Sequence, residues 1–176
     1  MSNALLFLVA VFCFASFAWG MIWHFGRNGK PSRAMIVTAS LAQVSLILQL
    51  LALYQRPILF PGIALLLYIT SVILFWWAVC VTRRKLAACG QGAVSSQLVT
   101  LGPYRVIRHP FYTSYNLAWF AGFAATGWWP LAVCAAVMAY RYEAAVREEE
   151  QGFSTSALAG DYEHYKRETG KYLPRF

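Results

Sequence analysis

Charged residues are scarce in this chain, and acidic residues are absent from most of it. Only 12% of the 176 residues are charged and 59% are hydrophobic, whereas average soluble domains have about 25% charged and roughly 45–50% apolar residues. No Asp or Glu precedes Glu143. This composition excludes a disordered chain, a collagen and a coiled coil, and it is typical of a membrane protein.

Cysteine is also sparse, and its spacing excludes two further classes of protein. No CxxC pair exists, and the four cysteines are scattered along the chain: Cys13, Cys80, Cys89 and Cys134. Neither a disulfide scaffold nor a zinc cluster is indicated, so the sequence predicts no metal site. We expect a single integral membrane domain over residues 1–176, with a three-span scaffold (1–82) and a catalytic core (83–176).

Long uncharged runs are what the chain has in abundance. Three runs each supply the roughly 20 apolar residues that a spanning helix needs: residues 4–25, 34–54 and 58–81. A fourth run, 111–140, is too long for one span, and the Gly127–Pro130 segment interrupts it. The sequence thus predicts an all-α fold with about five transmembrane helices, the last two a tight hairpin, followed by a short cytoplasmic C-terminal helix.

The distribution of charge predicts the orientation. The first 142 residues contain ten basic residues and no acid, and the basic residues lie between the apolar runs. This arrangement marks membrane topology and is not a nucleic-acid-binding face. With the N-terminus outside, only Arg56 falls on the side opposite to the other basic residues, so the active site and the C-terminus are expected to be cytoplasmic. Residues 1–25 lack a basic n-region, which favours a retained span over a cleaved signal peptide.

The segment before the fourth apolar run contains the most informative motif. Pro110 is suited to the first position of a helix, whose positive N-terminal end would then lie beside basic side chains and form a site for a carboxylate or a phosphate. The candidate binding residues are Tyr104, Arg105, Arg108, His109, Pro110 and Tyr112. The alternative is that these arginines and the histidine only contact lipid headgroups or stabilise the helix end.

A second group of charges follows the fifth predicted span. It contains Arg141, Arg147 and the Glu148–Glu150 run. Arg147 and Glu150 would share one helix face and pair, and the hairpin would bring the acids level with His109. The alternative is a solvated helix end. Further on, Tyr162 and Tyr165 form an amphipathic turn that is either a lid or a surface anchor.

The order of these motifs resembles the isoprenylcysteine carboxyl methyltransferase family, which is related to the phospholipid methyltransferases. The matching features are Gly-Pro-Tyr-Arg, Arg-His-Pro-x-Tyr, an apolar hairpin, a Glu-Glu pair and Tyr-x-x-Tyr, all within residues 98–176. The resemblance implies an S-adenosylmethionine pocket formed by His109, Tyr112 and the Glu149–Glu150 pair. Which two of Glu148, Glu149 and Glu150 match the family's pair is open by one residue. Glu149–Glu150 is preferred, because Phe153 then occupies the apolar position that follows the pair.

The resemblance implies a methyltransferase that acts on a lipophilic acceptor, in the first place the carboxylate of a prenylcysteine-like substrate. We expect the catalytic residues among Arg141, Arg147 and Glu150, because a carboxylate acceptor needs only an arginine to orient it. Transfer to a phospholipid amine or to a thiol stays open, and an NADPH-dependent membrane double-bond reductase is a more remote alternative. Neither the acceptor nor the oligomeric state follows from the sequence.

Overall fold

The computed structural model describes residues 3–25, 32–89 and 98–175, and every regular element within them is helical. The elements are α1 (Asn3–Phe25), α2 (Arg33–Gln55), α3 (Pro61–Cys89), a 3₁₀ helix (Gly102–Arg105), α4 (Pro110–Thr126), α5 (Trp129–Ser154) and α6 (Ala159–Glu168). The described residues contain no β-strand, only an isolated bridge between Ile107 and Gly170. The all-α prediction is therefore confirmed.

Three helices are long and apolar enough to cross a membrane: Asn3–Trp23, Arg33–Gln55 and Pro61–Thr82. They coincide with the first three predicted spans. Among the described residues α4 and α5 do not meet this criterion, and α4 is only 17 residues long. The count of five spans therefore stays a prediction.

The predicted orientation is based in part on basic residues that lie outside the described residues. These are Arg27 and Lys30, together with the side chains of Arg83, Arg84 and Lys85. The orientation accordingly stays a prediction as well.

Glycine, proline and serine define several of the helix boundaries. The Ser32 hydroxyl caps α2 by accepting a hydrogen bond from the Met35 amide at 3.2 Å. Pro110 is the first residue of α4. An amide at this position has no partner within the helix, so the missing N–H of proline costs no hydrogen bond. Gly127 ends α4 with a φ of +62°, a conformation that costs glycine little.

The chain divides into two compact units, and α3, α4 and α5 contribute residues to both. Unit one comprises Met1–Val72 and Ser114–Arg141, and unit two comprises Ile73–Thr113 and Tyr142–Phe176. The predicted division into a scaffold (1–82) and a catalytic core (83–176) is a statement about function and stays a prediction.

Paired polar groups lie in the core of unit one. The buried Gln49 amide donates to the Tyr68 hydroxyl at 2.6 Å and to the Ala118 carbonyl at 3.2 Å. The Ser71 hydroxyl donates to the Ser114 carbonyl at 2.6 Å. Because an unpaired polar group in an apolar interior is costly, these bonds hold α2, α3 and α4 together.

The outward faces of α1, α2 and α3 are apolar. Their exposed side chains include Leu8, Phe12, Trp19, Ile36, Leu66 and Ile73. Large contiguous apolar surfaces are rare on soluble monomers. These faces are suited to contact with lipid chains.

Two arginines in unit one are held by specific contacts. The Arg56 guanidinium lies 4.6 Å from the centre of the Trp128 ring, in the turn between α4 and α5. Arg141 donates to the Thr38 hydroxyl and to the Ala34 carbonyl at the start of α2, both at 3.1 Å. Each arginine therefore has a partner within unit one.

Replacing Gly122 with alanine should destabilise unit one, because a Cβ there would lie 2.4 Å from Cδ of Gln49. We expect a loss of about 1–3 kcal/mol, as is typical of overpacking, and a lower midpoint of thermal unfolding in detergent. Gly62→Ala is the matched control, since no atom lies within 4 Å of the added carbon. Equal midpoints for the two variants would contradict this account of the contact.

Candidate functional site

The residues just before α4 lie beside a short segment near the end of the described chain. We call residues 169–172 the strap. The Arg108 amide donates to the Gly170 carbonyl at 2.8 Å, the His109 amide to the Lys171 carbonyl at 3.2 Å, and the Gly170 amide to the Val106 carbonyl at 3.2 Å. The backbone of His109 is thereby fixed by the strap on one side and by the start of α4 on the other.

The strap requires glycine at position 170. A Cβ at Gly170 would lie 1.7 Å from the Leu173 carbonyl oxygen. Such a contact is far shorter than any that a side chain tolerates, so the backbone would have to move. The Thr113 hydroxyl adds a further contact to the strap by donating to the Tyr172 carbonyl at 3.3 Å.

His109 faces two carboxylates of α5. Its Nε2 lies 3.1 Å from Oε1 of Glu150, and its Nδ1 lies 3.6 Å from Oε2 of Glu149. The histidine side chain is only 8% exposed, whereas Glu150 is 17% and Glu149 is 49% exposed. Glu150 is thus part of the packed interior, and Glu149 is the more accessible of the two acids.

Arg108 approaches the same oxygen of Glu150. Its Nε lies 3.3 Å from Oε1 of Glu150, and the arginine side chain is 9% exposed. Its Nη1 donates to the Thr169 carbonyl and, at 3.2 Å, to the Lys166 carbonyl. A buried guanidinium requires this combination of an opposite charge and several acceptors.

A third carboxylate, Glu143, lies two helical turns before Glu150 on α5. Its Oε1 accepts from Lys171 Nζ at 2.7 Å and from Arg147 Nε at 2.9 Å, and its Oε2 accepts from the Tyr172 hydroxyl at 2.8 Å. Lys171 Nζ also lies 4.0 Å from Oε2 of Glu150. Glu143 and Glu150 are therefore connected through a strap lysine.

These contacts determine the protonation states. Burial lowers the pKa of His109 below its usual 6.5, although the hydrogen bond and the charges of the neighbouring glutamates act in the opposite direction. Burial alone would raise the pKa of Glu150, but the hydrogen bond from His109 and the charge of Lys171 outweigh it and lower the pKa. We therefore assign a neutral His109 that donates from Nε2 to an ionised Glu150 and keeps a lone pair on Nδ1.

Aromatic rings surround the histidine. The centre of the His109 ring lies 6.1 Å from that of Tyr112 and 6.3 Å from that of Tyr172, and Tyr142 lies 5.6 Å from Tyr112. The Tyr112 hydroxyl donates to Oε1 of Glu149 at 2.6 Å. Flat apolar faces and an accessible carboxylate therefore occur together.

The tyrosines of α6 are buried within unit two. Tyr162 stacks on Phe153 with 4.9 Å between the ring centres, and the Tyr165 hydroxyl donates to the Tyr104 carbonyl at 2.6 Å. Since both α6 tyrosines are buried, they pack inside the protein and are not displayed as a surface anchor. Tyr104 contributes its backbone to this contact.

The structure brings some of the predicted site residues together and leaves others apart. Arg108, His109, Pro110, Tyr112, Glu149 and Glu150 form one cluster in unit two. Arg105 and Glu148 are exposed, and Arg141 belongs to unit one, where it contacts α2. Arg147 was expected to pair with Glu150, but it pairs with Glu143, while Glu150 pairs with Arg108 and His109.

The site residues predicted from the sequence did not include Glu143, Lys171 or the strap. One signal was present: Glu143 and Glu150 are seven residues apart, which places them on the same face of a helix. The strap contributes backbone carbonyls to the motif, and Gly170 was the signal in the sequence for its constrained backbone.

The cluster combines carboxylates, a buried guanidinium and aromatic rings around a neutral imidazole. The three apolar helices indicate a membrane protein. A model of the phospholipid methyltransferase family matches residues 60–157, which is more than half of the chain. The chain belongs to this family of membrane methyltransferases, which is related to the isoprenylcysteine carboxyl methyltransferases and confirms the resemblance.

The matched range contains His109 and both of the carboxylates that face it, and it ends before the strap. A search of curated proteins found no match to the chain.

Replacing Glu150 with glutamine should destabilise unit two, because the buried Arg108 would lose its opposite charge. We expect a loss of roughly 1–3 kcal/mol in the free energy of unfolding, visible as a lower thermal midpoint. The His109 pKa should fall further, since Glu150 raises it, and NMR titration of the imidazole would show this. The control is Glu148→Gln, at an exposed position; an equal effect of the two changes would contradict the assigned pairing.

Proposed function

We propose that this chain is an S-adenosylmethionine-dependent methyltransferase that transfers a methyl group to a lipophilic acceptor in the membrane. The observation that carries the proposal is that Glu149 and Glu150 both lie close to His109 inside the range that matches a methyltransferase family. The apolar faces of α1, α2 and α3 support a membrane-embedded acceptor.

The residues of the cluster fit the chemistry of S-adenosylmethionine, which has an ammonium, a carboxylate, a sulfonium and an adenine ring. Glu149 has a half-exposed carboxylate for the ammonium. The N-terminal end of α4, with the exposed Arg105 nearby in sequence, is suited to the carboxylate. The rings of Tyr112 and Tyr172 are suited to the sulfonium and the adenine.

When bound, this cofactor supplies an electrophilic methyl group. The chain's own residues then have to orient the acceptor in line with that group and keep water out. In the proposal, Glu150 and Arg108 fix the position of His109, and Tyr112 fixes Glu149. Arg141 and Arg147 are left out of the catalytic set, because Arg141 donates to α2 and Arg147 to Glu143.

The chemistry available to His109 bears on the choice of acceptor. A carboxylate acceptor, such as that of a prenylcysteine-like substrate, needs a cation and no base, but Arg108 and Lys171 are engaged by glutamates. An amine or a thiol acceptor needs a base that removes a proton, and the neutral His109 has a lone pair on Nδ1 that could serve as one. This favours an amine or a thiol over a carboxylate, and the description of the matched family as phospholipid methyltransferases supports a lipid amine between the two.

The proposal also retains the predicted topology. Five spans with the N-terminus outside would place the His109 cluster on the cytoplasmic side, where the water-soluble cofactor is available. The lipophilic acceptor would then enter sideways from the bilayer.

The cofactor is tested by calorimetric titration of detergent-purified protein with S-adenosylhomocysteine, with NADPH as the parallel titrant. We expect S-adenosylhomocysteine to bind and the Glu149→Gln change to weaken binding by about tenfold, the loss of one charged hydrogen bond. Glu163→Gln, an exposed change on α6, should bind like the unaltered protein. Binding of NADPH alone would overturn the proposal in favour of a reductase.

The acceptor is tested by the pH dependence of methyl transfer to an amine-headed phospholipid and to a prenylcysteine carboxylate. If His109 is the base, kcat with the amine should fall as the pH drops, and the half-maximal pH should lie below 6.5, because burial lowers the pKa of His109. In His109→Gln this fall of kcat at low pH should disappear. Transfer to the carboxylate alone, with no fall of kcat at low pH, would assign the prenylcysteine reaction instead.

A further inference from the structure

Both long side chains of the strap reach the same carboxylate. Lys171 donates to one oxygen of Glu143 at 2.7 Å, and the Tyr172 hydroxyl donates to the other at 2.8 Å. With Arg147 also donating at 2.9 Å, Glu143 accepts three hydrogen bonds from the protein itself. Its oxygens are engaged within the fold, so Glu143 is better suited to hold protein groups than to bind a ligand.

The strap, in turn, holds the motif that precedes α4. The Thr169 carbonyl accepts from the Arg108 guanidinium. The Gly170 carbonyl accepts from the Arg108 amide, and the Lys171 carbonyl accepts from the His109 amide. Glu143 is therefore linked to His109 through the strap, although no direct contact joins the two among the contacts described above. The same strap lysine lies 4.0 Å from Glu150, which couples the link to the carboxylate that His109 faces.

We infer that Glu143 is a positioning residue that anchors the strap, and that the anchored strap keeps the Arg108–His109 motif in its binding-competent arrangement. The expected effect of Glu143 on catalysis rests on the proposed function, whereas its expected effect on the structure does not. When the anchor is lost, only a fraction of the molecules has the competent arrangement, and the apparent affinity for a ligand falls by that fraction.

The structural part is tested by hydrogen exchange on the detergent-solubilised protein without any ligand. In Glu143→Gln the amides of Arg108, His109 and Gly170 should exchange about tenfold faster, because local opening of the strap exposes them. Tyr172→Phe removes one of the two strap bonds and should give a smaller change at the same amides. Exchange at Thr126, at the far end of α4 in sequence, should stay unchanged in both variants.

The catalytic part is tested by steady-state kinetics. Glu143→Gln should raise KM for S-adenosylmethionine by about tenfold and leave kcat within about twofold, since saturating cofactor restores the competent arrangement. Glu163→Gln is the matched carboxylate-to-amide control on an exposed face. The effects of Glu143→Gln and Tyr172→Phe should not add, because both changes break the same link.

The outcomes separate the two proposals. Unchanged exchange at Arg108 and Gly170 in Glu143→Gln would overturn the anchoring role whatever the protein binds. Faster exchange with an unchanged KM would overturn the positioning role and leave a purely structural one. If Glu143→Gln does not fold, unaltered exchange and KM in Tyr172→Phe would overturn the inference instead. Failure of the unaltered protein to bind S-adenosylhomocysteine, with faster exchange in the variant, would count against the methyltransferase proposal alone.

Discussion

The carboxylate of Glu150 is the constraint on which the rest of unit two depends. Arg108 and His109 are almost fully buried, and both approach the same oxygen of this one acid. A buried guanidinium without an opposite charge is strongly unfavourable, so the start of α4 and the second half of α5 must meet at this point. The carbonyls of the strap complete the set of acceptors around Arg108.

The two units satisfy buried polar groups in different ways. In unit one a neutral amide, Gln49, bonds to a hydroxyl and a carbonyl, which avoids placing a charge among apolar helices. In unit two, charged groups are brought together in compensating sets, with Glu150 between Arg108 and His109. Neutral bonds suit the apolar helices of unit one, and compensating charges allow the ionic groups of unit two to be buried.

The sequence predicted those features that depend on composition and on local signals. The first three spans followed from uncharged runs of sufficient length, and Pro110 marked the start of α4. The expectation that His109 and the Glu149–Glu150 pair meet agrees with the geometry. The role of Glu143 and the partner of Arg147 could not be predicted, because spacing on a helix allows several pairings and the tertiary contact of Glu150 with Arg108 decides among them. Backbone pairing with the strap leaves Gly170 as its signal in the sequence, and a glycine does not specify which segment it pairs with.

The distance along the chain between the motif and the strap bears on how the site is made during synthesis. Arg108 and its acceptor at position 169 are 61 residues apart, so the ribosome completes α4 and α5 well before the strap exists. Until then the Arg108 and His109 amides have no strap carbonyls to bond, and the contacts that hold this motif cannot form. Closing so long a loop is slow compared with forming a helical turn. Formation of the contacts between the strap and the Arg108–His109 motif should therefore be a late event, separable in time from formation of the helices.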